Sequence, residues 1–207
     1  NTTLNDVLNR VNQKMRLAIT GGMGCGKSEV SRILREHQWG TADADALVHQ
    51  LFESDISLRQ VLVERFGSES VDISGQVNRA YLASRVFNDP EALAVLESLT
   101  HPRVEAAWDR LTESQPNQNW AIEIPLLFEK NLATRFDYTV CVACAETTQR
   151  ARLKSRGWSE AMVESRLKNQ WPLKNKIELA HFVLLNDGDV GFLQKQVEEL
   201  LRRLGVS

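Results

Sequence analysis

Three observations predict an α/β protein, a three-layer α/β/α arrangement with a five-stranded parallel sheet at its centre. Five short apolar runs, at residues 16–20, 39–42, 120–124, 138–143 and 182–185, are separated by segments of helical periodicity. Runs that are apolar throughout suit strands covered on both faces by crossover helices. A glycine-rich segment joins the first run directly to an amphipathic stretch, and about 80 residues between the second and third runs carry no strand pattern. A bare connection of that length is improbable, so the long segment reads as a folded helical insertion.

Taken in order, the elements follow from local signals. Val30, Ile33 and Leu34 lie at helical spacing over residues 28–36, and Gly40 marks the return into the sheet. Within the insertion, Leu47, Val48, Leu51 and Phe52 form one helical stripe, and Leu58, Val61, Leu62 and Phe66 another. Asp89, Pro90 and Glu91 make a helix start: a capping carboxylate, proline at the first helical position and an acid in the first turn. Leu93, Leu96 and Leu99 continue it, and His101-Pro102 is expected to interrupt it, because proline pushes the preceding residue away from helical angles. The last helix, over 190–204, presents Leu193, Val197, Leu200, Leu201 and Leu204 as a packing face.

The formal net charge of -2 gives no basic surface for nucleic acid, and no run approaches the ~20 apolar residues of a membrane span. A polyanionic ligand must therefore be held by particular Lys and Arg residues. Residues 1–14 are expected to form a tail outside the fold. The three cysteines, Cys25, Cys141 and Cys144, make no even disulfide framework, which suggests a reducing, cytoplasmic setting. Cys141 and Cys144 have C-x-x-C spacing but fall in a β-branched run, where residues three apart face opposite ways, so they read as core thiols.

The first strand runs into Gly21-Gly-Met-Gly-Cys-Gly-Lys-Ser28, which fits G-x-x-x-x-G-K-[ST] in the order strand, loop, helix. Glycines here let successive N–H groups turn inward around a phosphate, and the following helix adds its free amides and positive dipole end. Lys27 can reach the β- and γ-phosphates, and the Ser28 hydroxyl can ligate Mg²⁺. Two segments resemble guanine-nucleotide signatures and fail: Asn175-Lys-Ile-Glu178 has Glu where Asp should read guanine, and Asp72 to Gly75 follows no buried strand. Asp43-Ala-Asp45 follows the second strand at the carboxyl edge of the sheet, where open α/β folds bind ligands. Those acids could orient an acceptor hydroxyl and take its proton, support a Mg²⁺ shell, or simply cap the next helix; spacing leaves all three open.

With these motifs go Arg85-Val-Phe87, His101-Pro102, Pro125-Leu-Leu-Phe-Glu129, Arg152-Leu153, Arg156-Gly157, Arg166, Gln170 and Asn186-x-Gly188. Taken together, from residue 16 to about 190, the chain resembles the dephospho-CoA kinase family. The resemblance implies a P-loop core at 15–48 and 118–207, a CoA-binding helical insertion at 49–117 and a small lid at about 150–170. It implies transfer of the ATP γ-phosphoryl group to the ribose 3′-hydroxyl of dephospho-CoA, with Mg²⁺, on a monomer or weak homo-oligomer.

Carried over by position, Asp45 would be the catalytic base, Lys27 would balance charge on the transferring group, and Arg156 would serve the same transition state. Gly22, Gly24, Cys25, Gly26, Lys27, Ser28, Glu29, Arg152 and Asn186 would hold ATP, with Asn186 on the adenine side. Asp43, His101, Pro125, Leu126, Glu129 and Arg166 would hold the acceptor. Arg150 reads instead as a solvated helix face, whereas Arg156 precedes Gly157 at an expected hinge. Three residues depart from the family pattern: Cys25 stands where Ser is common, Glu29 where Thr is common, and His181 replaces the acid usual before the final strand. Other P-loop kinases of nucleoside, nucleotide or shikimate type, and a non-catalytic nucleotide-binding module, are the alternatives. The former lack the combination of the insertion's His-Pro with Pro-Leu-Leu-Phe-Glu, and intact Lys27, Ser28 and Asp45 speak against the latter.

Overall fold

The computed structural model describes residues 14–87, 89–168 and 170–206, so the expected tail lies outside the described residues except for Lys14. Five strands, β1 (Arg16–Gly21), β2 (Gly40–Asp43), β3 (Trp120–Glu123), β4 (Tyr138–Ala143) and β5 (Phe182–Leu185), form one sheet in the order β2-β3-β1-β4-β5. β1 pairs in parallel with β3 and β4, and β4 in parallel with β5. The central strands are buried over almost their whole length, which explains their unbroken apolar sequence. Chain contacts divide the molecule into two compact units, one ending at Ala42 and resuming at Pro116, the other spanning Asp43–Gln115.

In the first unit, α1 (Lys27–Glu36) follows β1 and buries Val30, Ile33 and Leu34. The C-terminal helix of the unit (Val190–Arg203) buries Leu193, Val197, Leu200 and Leu201. Both pack on Leu17, Ile19, Val140 and Val142, which alternate along β1 and β4. Thr20 and Cys141, equally buried, belong by that alternation to the opposite face. Gly40 lets β2 approach β3 closely, since a Cβ there would stand 2.5 Å from the Trp120 ring. At the β5 edge, the Gln196 side chain accepts from the Leu185 amide (2.9 Å) and donates to its carbonyl (2.8 Å).

The second unit is helical: α2 (Ala44–Ser54), α3 (Ile56–Phe66), α4 (Arg79–Val86) and α5 (Pro90–Ser114). Leu47 and Leu51 of α2, and Leu58, Leu62 and Phe66 of α3, are buried, in keeping with the two stripes read from the sequence. Asp89 caps α5 through the Ala92 amide, with Pro90 in the first turn.

One expectation fails here. His101-Pro102 does not interrupt the helix; α5 runs through it to Ser114. Proline removes one amide and crowds the preceding turn, at a cost of about 3 kcal/mol in a helix interior. Two things offset it. Thr100, Val104, Trp108 and Thr112 present a continuous buried face, and Arg103 donates from Nη1 to the Leu99 carbonyl at 2.7 Å. The same guanidinium is 3.2 Å from Asp55, the N-cap of α3.

Burial alone would raise the Asp55 pKa, but hydrogen bonds from Ser57 and the Leu58 amide, with the Arg103 charge, carry it below the usual carboxylate value. A lowered folded pKa stabilises at pH above the unfolded value and loses that stabilisation as pH falls through the folded one. Arg103→Met should lower unfolding stability by about 1–2 kcal/mol. It should also flatten the acid limb of stability, both measured by urea titration between neutral and acidic pH.

Candidate active site

The loop after β1 is shaped by close backbone approach. Gly21 has φ of 135°, and a Cβ on it would lie 2.1 Å from the Val142 carbonyl oxygen of β4. Gly26, the N-cap of α1, has φ of 98°, and a Cβ on it would lie 2.1 Å from Asn186 Nδ2. No side chain caps α1, and the amides of Glu29 and Val30 both turn to the Gly26 carbonyl. The first turn thus presents backbone donors without intrahelical acceptors at the positive end of the dipole, an anion site by construction.

Side chains from distant segments hold the loop. Asn186, just past β5, donates from Nδ2 to the Cys25 carbonyl at 2.8 Å. Gln149 donates to the Met23 carbonyl at 2.7 Å. Lys27 bends back, its ammonium donating to the carbonyls of Gly21 (3.3 Å) and Gly22 (3.1 Å). Gly24 takes a positive φ of 76°, and Leu153 packs against it. Cys25 and Cys144 are buried with their sulfurs 3.3 Å apart, and Cys141 is buried in β4. Burial pushes the Cys141 and Cys144 thiols up to about 12, so both stay protonated at neutral pH, as core thiols do.

Arg152 donates from Nη2 to Asn186 Oδ1 at 3.4 Å, and its buried Nη1 has no hydrogen-bond partner among the described residues. An unpaired buried guanidinium nitrogen is costly, and an anion removes the cost. With the open α1 terminus, this orphaned donor fits a nucleoside triphosphate. Ser28, exposed in the first turn of α1, supplies one hydroxyl for a cation. Among the described residues no cluster of three or more His, Cys, Asp and Glu forms a metal cage. One protein oxygen completed by phosphates and water is the donor set Mg²⁺ accepts. Glu29 does not add a bare carboxylate to the loop; Arg32 pairs with it at 2.7 Å.

The segment expected to form a lid contains α6 (Glu146–Ser155) and α7 (Glu160–Leu167). Arg150 lies on the surface, as expected, and there bonds Glu146 at 2.8 Å, Glu164 at 2.7 Å and Glu160, joining the two helices. Gly157, at φ of 82°, ends α6 in a closed cap, its amide bonding the Lys154 carbonyl and the Trp158 amide bonding that of Leu153. Arg156 sits exposed at this cap, and the Arg166 guanidinium stacks 4.8 Å from the centre of the Trp158 ring.

After β3, residues 125–129 form a turn, with Pro125, Leu126 and Glu129 partly buried. Thr20, just before the loop, donates to the Pro125 carbonyl at 3.3 Å. Lys176, on α8 (Leu173–Leu179), donates to that carbonyl at 2.6 Å and pairs with Glu129 Oε1 at 2.7 Å. Neither Gln149 nor Lys176 was singled out from the sequence. Lys176 lies within the Asn-Lys-Ile-Glu segment rejected as a guanine signature, and nothing local announces its burial.

In the helical unit, Asp43 is the N-cap of α2, accepting from the amides of Asp45 (2.8 Å) and Ala46 (3.3 Å). Capping therefore occupies one oxygen of Asp43, while Asp45 is exposed in the first helical turn. His101 is half-buried inside α5.

A family model described as dephospho-CoA kinase matches residues 15–191. A curated dephospho-CoA kinase of Bdellovibrio bacteriovorus is 35% identical over 191 residues, covering 91% of this chain and 95% of that one. A crystal structure from Thermus thermophilus superposes with a TM-score of 0.83 at 32% identity, covering 93% of this chain and 98% of its own. A structure titled dephospho-CoA kinase from Campylobacter jejuni shares the fold, with a TM-score of 0.67 at 21% identity over 91% of this chain and 96% of that one.

Gly26→Ala forces a Cβ onto Asn186 and strains a left-handed residue. Equilibrium titration should find MgATP affinity at least about 10-fold weaker, the loss of one charge-assisted hydrogen bond, with the circular dichroism of the sheet unchanged.

Proposed function

The chain belongs to the dephospho-CoA kinase family, and on that premise we propose that it transfers the γ-phosphoryl group of ATP to the ribose 3′-hydroxyl of dephospho-CoA, yielding CoA and ADP. The observation that carries this reading is a phosphate loop whose open helix terminus and orphaned Arg152 donor suit a triphosphate, in a chain matched along nearly its whole length by this family.

The transition state of phosphoryl transfer spreads negative charge over the moving group, so the protein's work is positioning and electrostatic stabilisation. The amides of α1 and the Lys27 ammonium take that charge, with Lys27 leaving the Gly21 and Gly22 carbonyls for the phosphates. Arg152 takes a phosphate oxygen with its unpaired Nη1. Mg²⁺, when bound at the Ser28 hydroxyl, supplies further neutralisation of the phosphate oxygens. Asp45 accepts the proton of the 3′-hydroxyl as its oxygen bonds to the γ-phosphorus and the bond to ADP breaks. Asp43, engaged as the helix cap, holds the start of α2 that carries Asp45.

Arg156, exposed at the α6 cap, is assigned to the transferring phosphoryl, and Arg166, stacked on Trp158, to the acceptor phosphates. The helical insertion at 49–117, with His101, holds the CoA moiety, and Pro125, Leu126 and Glu129 border the acceptor. The reading needs neither nucleic acid nor membrane, and sets a monomer or weak homo-oligomer to work in the cytoplasm. Among the described residues, no helix is long and apolar enough to cross a membrane.

Protein incubated with ATP, Mg²⁺ and dephospho-CoA should yield CoA by mass spectrometry, with adenosine and shikimate unreactive in parallel. Transfer to shikimate instead would sink the assignment. Asp45→Asn should bind ATP normally and lose about 10²–10⁴-fold in turnover; normal turnover would remove Asp45 as the base.

A further inference from the structure

Lys176 is fully buried, a rare condition for lysine, and pairs with a carboxylate whose side chain is only 9% exposed. Glu129 Oε1 is doubly engaged, by Lys176 at 2.7 Å and by the Trp171 amide at 2.9 Å. Its second oxygen, Oε2, is buried and has no hydrogen-bond partner among the described residues. A buried ion pair adds little net stability over an apolar pair of the same shape, and leaving half of it unsatisfied makes it worse. Stability alone therefore gives no reason for this arrangement. A ligand donor that completes Oε2 does.

The location narrows the donor. Lys176 and Thr20 share the Pro125 carbonyl, so the Glu129 turn is braced directly against the residue that leads into the phosphate loop. β3, which leads into that turn, neighbours β1 in the sheet. A group bonded to Oε2 is thus held beside the loop that holds the triphosphate. In the ribose of the acceptor, the 3′-hydroxyl is the nucleophile, and the adjacent 2′-hydroxyl is a donor left without an assigned partner.

We propose that Lys176 is a positioning residue for the phosphoryl acceptor: together with the Trp171 amide it fixes Glu129 Oε1, so that Oε2 accepts a hydrogen bond from the ribose 2′-hydroxyl. The proposal rests on the dephospho-CoA kinase reading and goes beyond it in naming the hydroxyl and the anchoring lysine. It also explains why Lys176 of α8 and Trp171 just before that helix are both tied to a turn more than 40 residues earlier in the chain.

The test pairs variants with a substrate lacking the donor. Wild-type protein is assayed with dephospho-CoA and its 2′-deoxy analogue, beside Glu129→Gln, Lys176→Met and the double variant, with ATP affinity titrated separately. Wild type should prefer the hydroxylated acceptor by about 10- to 100-fold in kcat/KM, the range of a charge-assisted hydrogen bond. Each variant should handle the two acceptors nearly alike, with ATP affinity within about two-fold of wild type. Lys176→Met strands a buried carboxylate and can fail to fold; the double variant removes both charges and keeps the test decisive, its fold checked by melting temperature. Wild-type preference retained in the folded double variant overturns the proposal, as does a wild type indifferent to the 2′-hydroxyl. Failure of wild type to phosphorylate dephospho-CoA at all is a distinct result, which overturns the family-based function and this proposal with it.

Discussion

A triphosphate carries several negative charges into a protein whose own net charge is -2, so binding depends on donors gathered at one point rather than on a general field. We place that point at the start of α1. In α2, α3, α5 and the C-terminal helix, an Asp side chain takes the first amides. At α1 the cap is a glycine, and no side chain takes the first amides. Much of the core unit follows from keeping them so. Gly21 fits under the Val142 carbonyl, and Asn186 and Gln149 hold the loop by its Cys25 and Met23 carbonyls.

Asn186 joins two functions that the sequence keeps apart. One end of its amide holds the phosphate loop through Cys25 and the other receives Arg152 from α6. The end of β5, the loop after β1 and α6 are thereby linked through one side chain. A motif residue that looks like a ligand contact in sequence is, in the structure, a fastening between segments. The same holds for Glu129, which gathers Lys176 and the Trp171 amide on one oxygen.

How much was legible followed from the range of the forces involved. The strands and α1 were readable because apolar runs and helical spacing are local records of burial, and the glycines of the phosphate loop are required by local backbone geometry. The acid cap at Asp89 was readable for the same reason. Pro102 misled because a local rule was overridden by a buried face and by the Arg103 guanidinium. The bridging contacts of Arg150 were not legible because two of its carboxylates, Glu160 and Glu164, lie on another helix. Lys176 was invisible because its partners, Glu129 and Pro125, lie in a turn that only the folded sheet brings beneath it.

A sheet open at both ends presents unpaired backbone groups to any other strand, including that of an identical molecule. β2 offers only four residues at one edge. At the other, Gln196 has filled both hydrogen-bonding positions of Leu185 with its own amide, imitating the strand that would otherwise dock there. The carboxamide thus occupies the outward backbone groups of Leu185, so that at this position the margin offers a strand of another copy no hydrogen bond to make.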